Sequence, residues 1–166
     1  KMYEWAQEDP LSFRACTFEI TGLGRYGGFR CQEFAMDDHH TIKTYLMPNG
    51  VEVTRAFCVR NIKFRGRGRS TIVYPLTNRD MIEEVGTEYD VQKNRCNGQT
   101  PWFHCERRHP QYCPVQLALK LVWRARTLGQ KEDDPLCVYR HTNGENRYLT
   151  GTDVTKYYRF VYKLVM

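Results

Sequence analysis

The run from Pro114 to Gly129 constrains the fold more than any other stretch of this chain. Ala118, Leu121, Val122, Ala125 and Leu128 fall on one side of a 3.6-residue repeat. Pro114 suits the first turn of a helix, and Gly129 suits the left-handed stop just beyond it. A helix with one apolar stripe must lie on something, and two hairpin signals upstream offer a sheet. Val53–Arg65 reads as a strand through Val53, Phe57, Val59, Ile62 and Phe64; Arg65-Gly66-Arg67-Gly68-Arg69 is a turn, and Ser70–Tyr74 is the returning strand. Glu88–Gln92 and Thr100–Cys105 flank Asn97-Gly98, a strong two-residue turn signal. The expected class is α+β, with helices packed around a small antiparallel β-sheet.

Two further helices complete the set. Asp9-Pro10 predicts a helix start, with Asp as cap and Pro at the first position, followed by Leu11, Phe13, Cys16, Phe18 and Ile20, with Gly22 as its end. Thr150-x-x-Asp153 resembles a capping box and starts a last helix whose apolar side holds Val154, Tyr157, Tyr158, Val161, Leu164 and Val165. Between these, Asp37–Val51 reads as a loop, Pro75–Gly86 as a connector with some helical character, and Arg107–Tyr112 as a polar linker. Leu136–Tyr139 is a short extended piece before a turn at His141–Glu145.

Length and charge narrow the classes. The 166 residues suit one domain, 1–166, with a real core, and 41% hydrophobic residues is a globular fraction. A net charge of +6, with a pI near 9.0, is compatible with a polyanionic partner. Seven cysteines, an odd count without regular spacing, point to a reducing interior rather than secretion. No apolar run approaches a membrane span, so no membrane partner is expected. The chain starts at Lys1 and stops at Met166 in mid-helix, which reads as a fragment, incomplete at its C-terminus.

Chemistry concentrates in Thr21–Met36, TGLGRYGGFRCQEFAM. Gly28-x-Arg30-x-x-Glu33 places a guanidinium at a helix start, with a carboxylate one turn on to hold it. Arginine's planar fork of donors matches a phosphate. Gly22, Gly24 and Gly27 also spell GxGxxG, but a dinucleotide site needs that motif between a strand and a helix. Here the glycines read instead as a turn that lets Arg30 approach a phosphate.

This pattern resembles the first arginine box of the tyrosine recombinase (phage-integrase-like) family. Asp90–Thr100 resembles that family's lysine-bearing hairpin, and Cys113-Pro114-Val115 with its helix resembles the element after it. The Gln92-Lys93-Asn94 and Cys-Pro-Val flavour is most similar to recombinases of mobile elements. The resemblance implies DNA breaking and rejoining through a 3′-phosphotyrosine, with no metal or nucleotide cofactor. It implies Arg30 and Lys93 as catalytic residues, and Glu33 as the group that orients Arg30. Duplex DNA is the implied partner, with homo-oligomers on DNA when full length and an intracellular location, nuclear in a eukaryote. The Arg65, Arg67 and Arg69 tip and Arg95 would contact the phosphate backbone.

Strand transfer needs a nucleophile, cations for the transition-state charge, an acid for the leaving oxygen, and DNA held in line. The family's helical His-x-x-Arg box and nucleophilic tyrosine have no room before Met166, so the fragment should bind DNA without exchanging strands. His104-Cys105-Glu106-Arg107 spells the box, but at a strand end. Tyr157, Tyr158 and Tyr162 read as core residues with hydroxyls at the surface. A competing reading is a zinc-stabilised binding module built on Cys96, His104, Cys105, His109 and Cys113, or a decayed remnant that binds DNA without chemistry. His39-His40 lacks a third ligand at suitable spacing and reads as solvated.

Overall fold

The computed structural model describes residues 2–37, 44–69, 71–72, 79–90 and 98–166. It is an α+β arrangement of five α-helices and three small antiparallel sheets among those residues. Helix α1, Met2–Glu8, leads into α2, Phe13–Gly27. Asp9 does not cap α2. Its Oδ1 accepts from the Leu11 N–H, and Ser12 is the cap, its Oγ accepting from the Ala15 N–H. The helix also runs past Gly22. There the missing side chain makes room for Leu117 of α4, Pro114–Thr127: a Cβ at Gly22 would sit 2.8 Å from Leu117 Cδ1. Helix α2 ends at Gly28, whose φ of 64° is the left-handed cap that closes on Gly24 O. A single turn, α3, Cys31–Phe34, follows.

The segment predicted as one strand from Val53 to Arg65 is two. Strand β1, Thr44–Leu46, inside the stretch predicted as loop, pairs with β2, Glu52–Thr54. A 3-10 turn at Val59–Asn61 then starts β3, Ile62–Gly66. Strand β4, Thr71–Ile72, returns beside β3, as the arginine turn predicted. The connector predicted through Pro75–Gly86 becomes β5, Ile82–Thr87, which pairs with both β3 and β6, Trp102–His104. Sheet order is β4-β3-β5-β6.

One face of that sheet carries the aligned row Phe64, Val85 and Phe103. It packs with α4, which lies between the sheet and α2. Buried Ile20, Leu23, Leu117, Leu121 and Val85 form the shared core. Strands β7, Val138–Arg140, and β8, Asn146–Tyr148, make a hairpin, and α5, Gly151–Val165, starts at a Thr150 cap that accepts from the Asp153 N–H. Of α5's apolar side, Val154 and Tyr157 are buried, while Leu164 is exposed. The Tyr157 hydroxyl is buried rather than at the surface, without a hydrogen-bond partner among the described residues. No described helix is long and apolar enough to cross a membrane.

Candidate nucleic-acid interface

Arg30 stands where α2 turns into α3. Gly24 and Gly27 are helical residues, not a phosphate loop. They leave the space that the Phe29 ring fills: a Cβ at Gly27 would lie 2.1 Å from Phe29 Cε1. Phe29 folds back on the helix, and Arg30 is left exposed at the cap of α3. Glu33 serves the turn in an unexpected way. Its Oε2 accepts from the Arg30 main-chain N–H at 2.8 Å, and its carbonyl accepts from the Phe57 N–H at 2.7 Å. The carboxylate thus fixes the backbone of Arg30 rather than its guanidinium.

Beside this turn lies the start of the predicted lysine hairpin. The Phe29, Phe57 and Tyr89 rings form an edge-on cluster with centroids 4.8–6.1 Å apart. Tyr89 donates its hydroxyl to Gly27 O at 3.2 Å. Burial first, then the Glu33 carboxylate, raises the Tyr89 phenol above its ordinary range. Asp90 is gripped from the other side. Arg60 Nη1 and Nη2 reach its two oxygens at 3.3 and 2.8 Å, and Asn61 Nδ2 donates to Oδ2 at 3.0 Å. Lys93, Arg95 and Cys96 lie outside the described residues, as do His39 and His40. The chain from Asp90 to Lys93 spans at most about 10 Å. Arg30 and the root of the Lys93 segment therefore share one end of the sheet.

The arginine tip sits elsewhere. Gly66, its first glycine, pairs with Ile82, at the opposite end of β5 from Tyr89. Arg65 lies over Trp102, with its guanidinium carbon 3.5 Å from the ring centroid. Gly86 permits this, since a Cβ there would meet the Trp102 ring at 2.9 Å. Arg67 Nε lies 3.6 Å from Glu83. Lys63 pairs with Glu88, and His104 Nδ1 approaches Glu84 Oε1 at 3.2 Å. This outer face is laced with carboxylates, so its net field is weaker than three arginines and two glycines suggest. The Arg69 side chain is outside the described residues. His104 closes β6 and Arg107 lies in the bend after it, so they do not share a helix.

A second basic group was not singled out from the sequence. Arg25, in the last turn of α2, and Arg107 and Arg108, after β6, are all exposed. Tyr26 ties their two segments together: its ring packs on Phe103, and its hydroxyl donates to Tyr112 O at 3.0 Å. Arg107-Arg108 was legible as a basic pair inside a polar linker, but nothing local said that α2 would bring Arg25 to it. Arg25, Arg107 and Arg108 thus stand on segments that meet at the C-terminal end of α2, with Glu106 among them, its Oε1 accepting from the Arg108 N–H at 2.6 Å.

Among the described residues, no three His, Cys, Asp or Glu side chains come together as a metal site. A cleft of about 750 Å³ opens at the far side, lined by Trp5, Asp9, Arg14, Tyr139, His141 and Asp153 among others. Its charges are mixed, and Arg30 is not among its walls. Compared with protein-family models, with curated proteins and with solved structures, the chain finds no match.

Proposed function

We propose that this chain is a duplex-DNA-binding part of a tyrosine recombinase, holding phosphates through Arg30 and through Arg25, Arg107 and Arg108. One observation carries the reading. Arg30 is held exposed by a turn whose own carboxylate is spent on the main chain, beside the anchored root of the segment that bears Lys93. A cation that has no carboxylate partner among the described residues, on a backbone fixed by hydrogen bonds, is what an in-line phosphate contact needs. In this reading Arg30 stabilises charge on a reacting phosphate and Lys93 protonates the leaving oxygen in the complete enzyme. The Arg65 tip becomes a secondary contact, because Trp102 already holds that guanidinium.

The test is fluorescence anisotropy of a labelled duplex with the purified chain across a salt series. Weak binding is expected, with Kd on the order of 10⁻⁴–10⁻⁶ M at physiological salt. Arg30→Ala should reduce affinity and lower the salt slope by about 1, and the Arg107→Ala/Arg108→Ala pair by about 2. Arg65→Ala should change less. Binding that ignores salt, or an unchanged affinity in Arg30→Ala, sinks the phosphate role. The recombinase assignment has its own check in the coding sequence beyond Met166, which should continue into a helical His-x-x-Arg and a later tyrosine.

A further inference from the structure

The sulfur atoms of Cys105 and Cys113 lie 3.5 Å apart. Cys105 follows β6 and is partly exposed, whereas Cys113 is fully buried at the cap of α4. The Glu106 N–H donates to Cys113 Sγ at 3.3 Å, so the chain between the two thiols turns back over the inner one. That loop displays Arg107, Arg108 and His109, all exposed. One thiol is open to a solution reagent, and a second stands directly behind it.

We propose that Cys105 and Cys113 form a disulfide-forming dithiol that exchanges with a low-molecular-weight disulfide, glutathione disulfide being the reagent class, and so locks the Arg107–His109 loop. In the first step the Cys105 thiolate attacks one sulfur of glutathione disulfide. A Cys105–glutathione mixed disulfide forms, and one glutathione thiolate leaves. In the second step Cys113, as thiolate, attacks Cys105 Sγ and expels the second glutathione. Two thiols lose two protons and two electrons, and one glutathione disulfide becomes two glutathione thiols. The sulfurs must close by about 1.5 Å to reach bonding distance, a movement within side-chain rotation. Burial first, and then the bond shared with Cys113, pushes the Cys105 thiol up to about 11, so the first step is slow at neutral pH.

The chain contains its own control. Cys16 and Cys137 also lie side by side, but both are buried in the core, with 0% and 3% exposure. They should stay reduced while the protein is folded. This chemistry does not depend on the nucleic-acid reading.

The experiment incubates the folded chain with glutathione disulfide at about pH 8.5, quenches with an alkylating agent and maps tryptic peptides by mass. Cleavage at Arg95, Arg107, Arg108 and Lys120 leaves residues 96–107 and 109–120 joined only by the proposed bond. The joined pair should dominate in the wild type, persist in Cys96→Ser, and fall at least about tenfold in Cys105→Ser. Cys113→Ser should instead accumulate glutathione on Cys105. The oxidised wild type should melt roughly 5 °C higher. A wild type that keeps both thiols free, that stops at the mixed disulfide, or whose link survives Cys105→Ser overturns the proposal.

Discussion

Two arginines of this protein make opposite use of a neighbouring glutamate. Arg124, on α4, is 1% exposed at its side chain and places Nη2 2.6 Å from Glu19 Oε2 on α2. Its Nε donates to Pro10 O at 2.7 Å. Every step away from that geometry strands a charge in the core. Arg30 sits at the rim, and its Glu33 holds only its main chain. The first guanidinium joins two helices, whereas the second meets no carboxylate among the described residues. An arginine beside a glutamate is therefore not one signal but two, separated by whether the carboxylate meets the fork or the backbone.

The largest effect should come from breaking the buried pair. Arg124→Ala leaves Glu19 without its partner in the helix interface and should cost about 3–5 kcal/mol in urea unfolding. Replacing both together, Glu19→Leu with Arg124→Met, should cost much less than the single change. A loss below about 1 kcal/mol for Arg124→Ala would mean that the core tolerates the lone carboxylate, and the contrast with Arg30 would fade.

The same pair has a pH signature. Burial is the largest influence on Glu19 and pushes it up to about 7 against the pull of Arg124, from an ordinary 4.5. The folded state therefore holds a proton that the unfolded chain releases. The stability this contributes is complete below about 4.5 and is lost as pH rises through about 7. Wild type should lose on the order of 1–3 kcal/mol between pH 5 and pH 8 that Glu19→Gln does not lose. Parallel pH profiles of the two proteins would show that the pair stays ionised throughout.

Arg65 lies between the extremes, held by a ring instead of a carboxylate. Gly86→Ala puts a methyl group 2.6 Å from Thr100 Cγ2 and 2.9 Å from the Trp102 ring. The ring must lift off β5 and release Arg65. A cost of about 1–2 kcal/mol and a red shift in tryptophan emission are expected. Unchanged emission would mean that Trp102 does not depend on that gap.

Much of the frame was legible where the signal is local. Pro114 and Gly129 bound a real helix, Thr150 and Asp153 cap another, and Gly98 takes the positive φ that its turn demands. Other elements were not, because their causes are distant. Gly22 read as a helix stop, but its bare backbone is used by Leu117 from another helix. Strand β5 hides its period because Glu84, Gly86 and Thr87 are buried along with Ile82 and Val85, so apolar and polar residues do not alternate with the faces. Of the candidate site, Arg30 and Glu33 were found as a pair, but the hydrogen bond between them runs to the main chain. The anchor of Asp90 on Arg60 and Asn61, and the gathering of Arg25 with Arg107 and Arg108, follow from how α2 and β6 meet. The Arg65 tip looked like three spare cations because Trp102 and Glu83, which occupy two of them, come from other strands or the turns beside them.

The smallest stability effect should be the most informative. Arg30→Ala removes an exposed guanidinium while the Glu33 carboxylate keeps its bond to the residue-30 N–H, a bond any side chain permits. Its unfolding free energy should stay within about 0.5 kcal/mol of wild type. Glu33→Ala removes the acceptor itself and should cost about 1 kcal/mol, a cap's worth. If DNA affinity falls in Arg30→Ala while stability holds, the arginine is built for a ligand. If instead Arg30→Ala costs as much stability as Glu33→Ala, the guanidinium is bonded within the fold, and Arg30 belongs with Arg124 on the structural side of the comparison. Only one of those outcomes leaves a donor fork free to meet a phosphate, so the unfolding curve should be measured before any binding isotherm is interpreted.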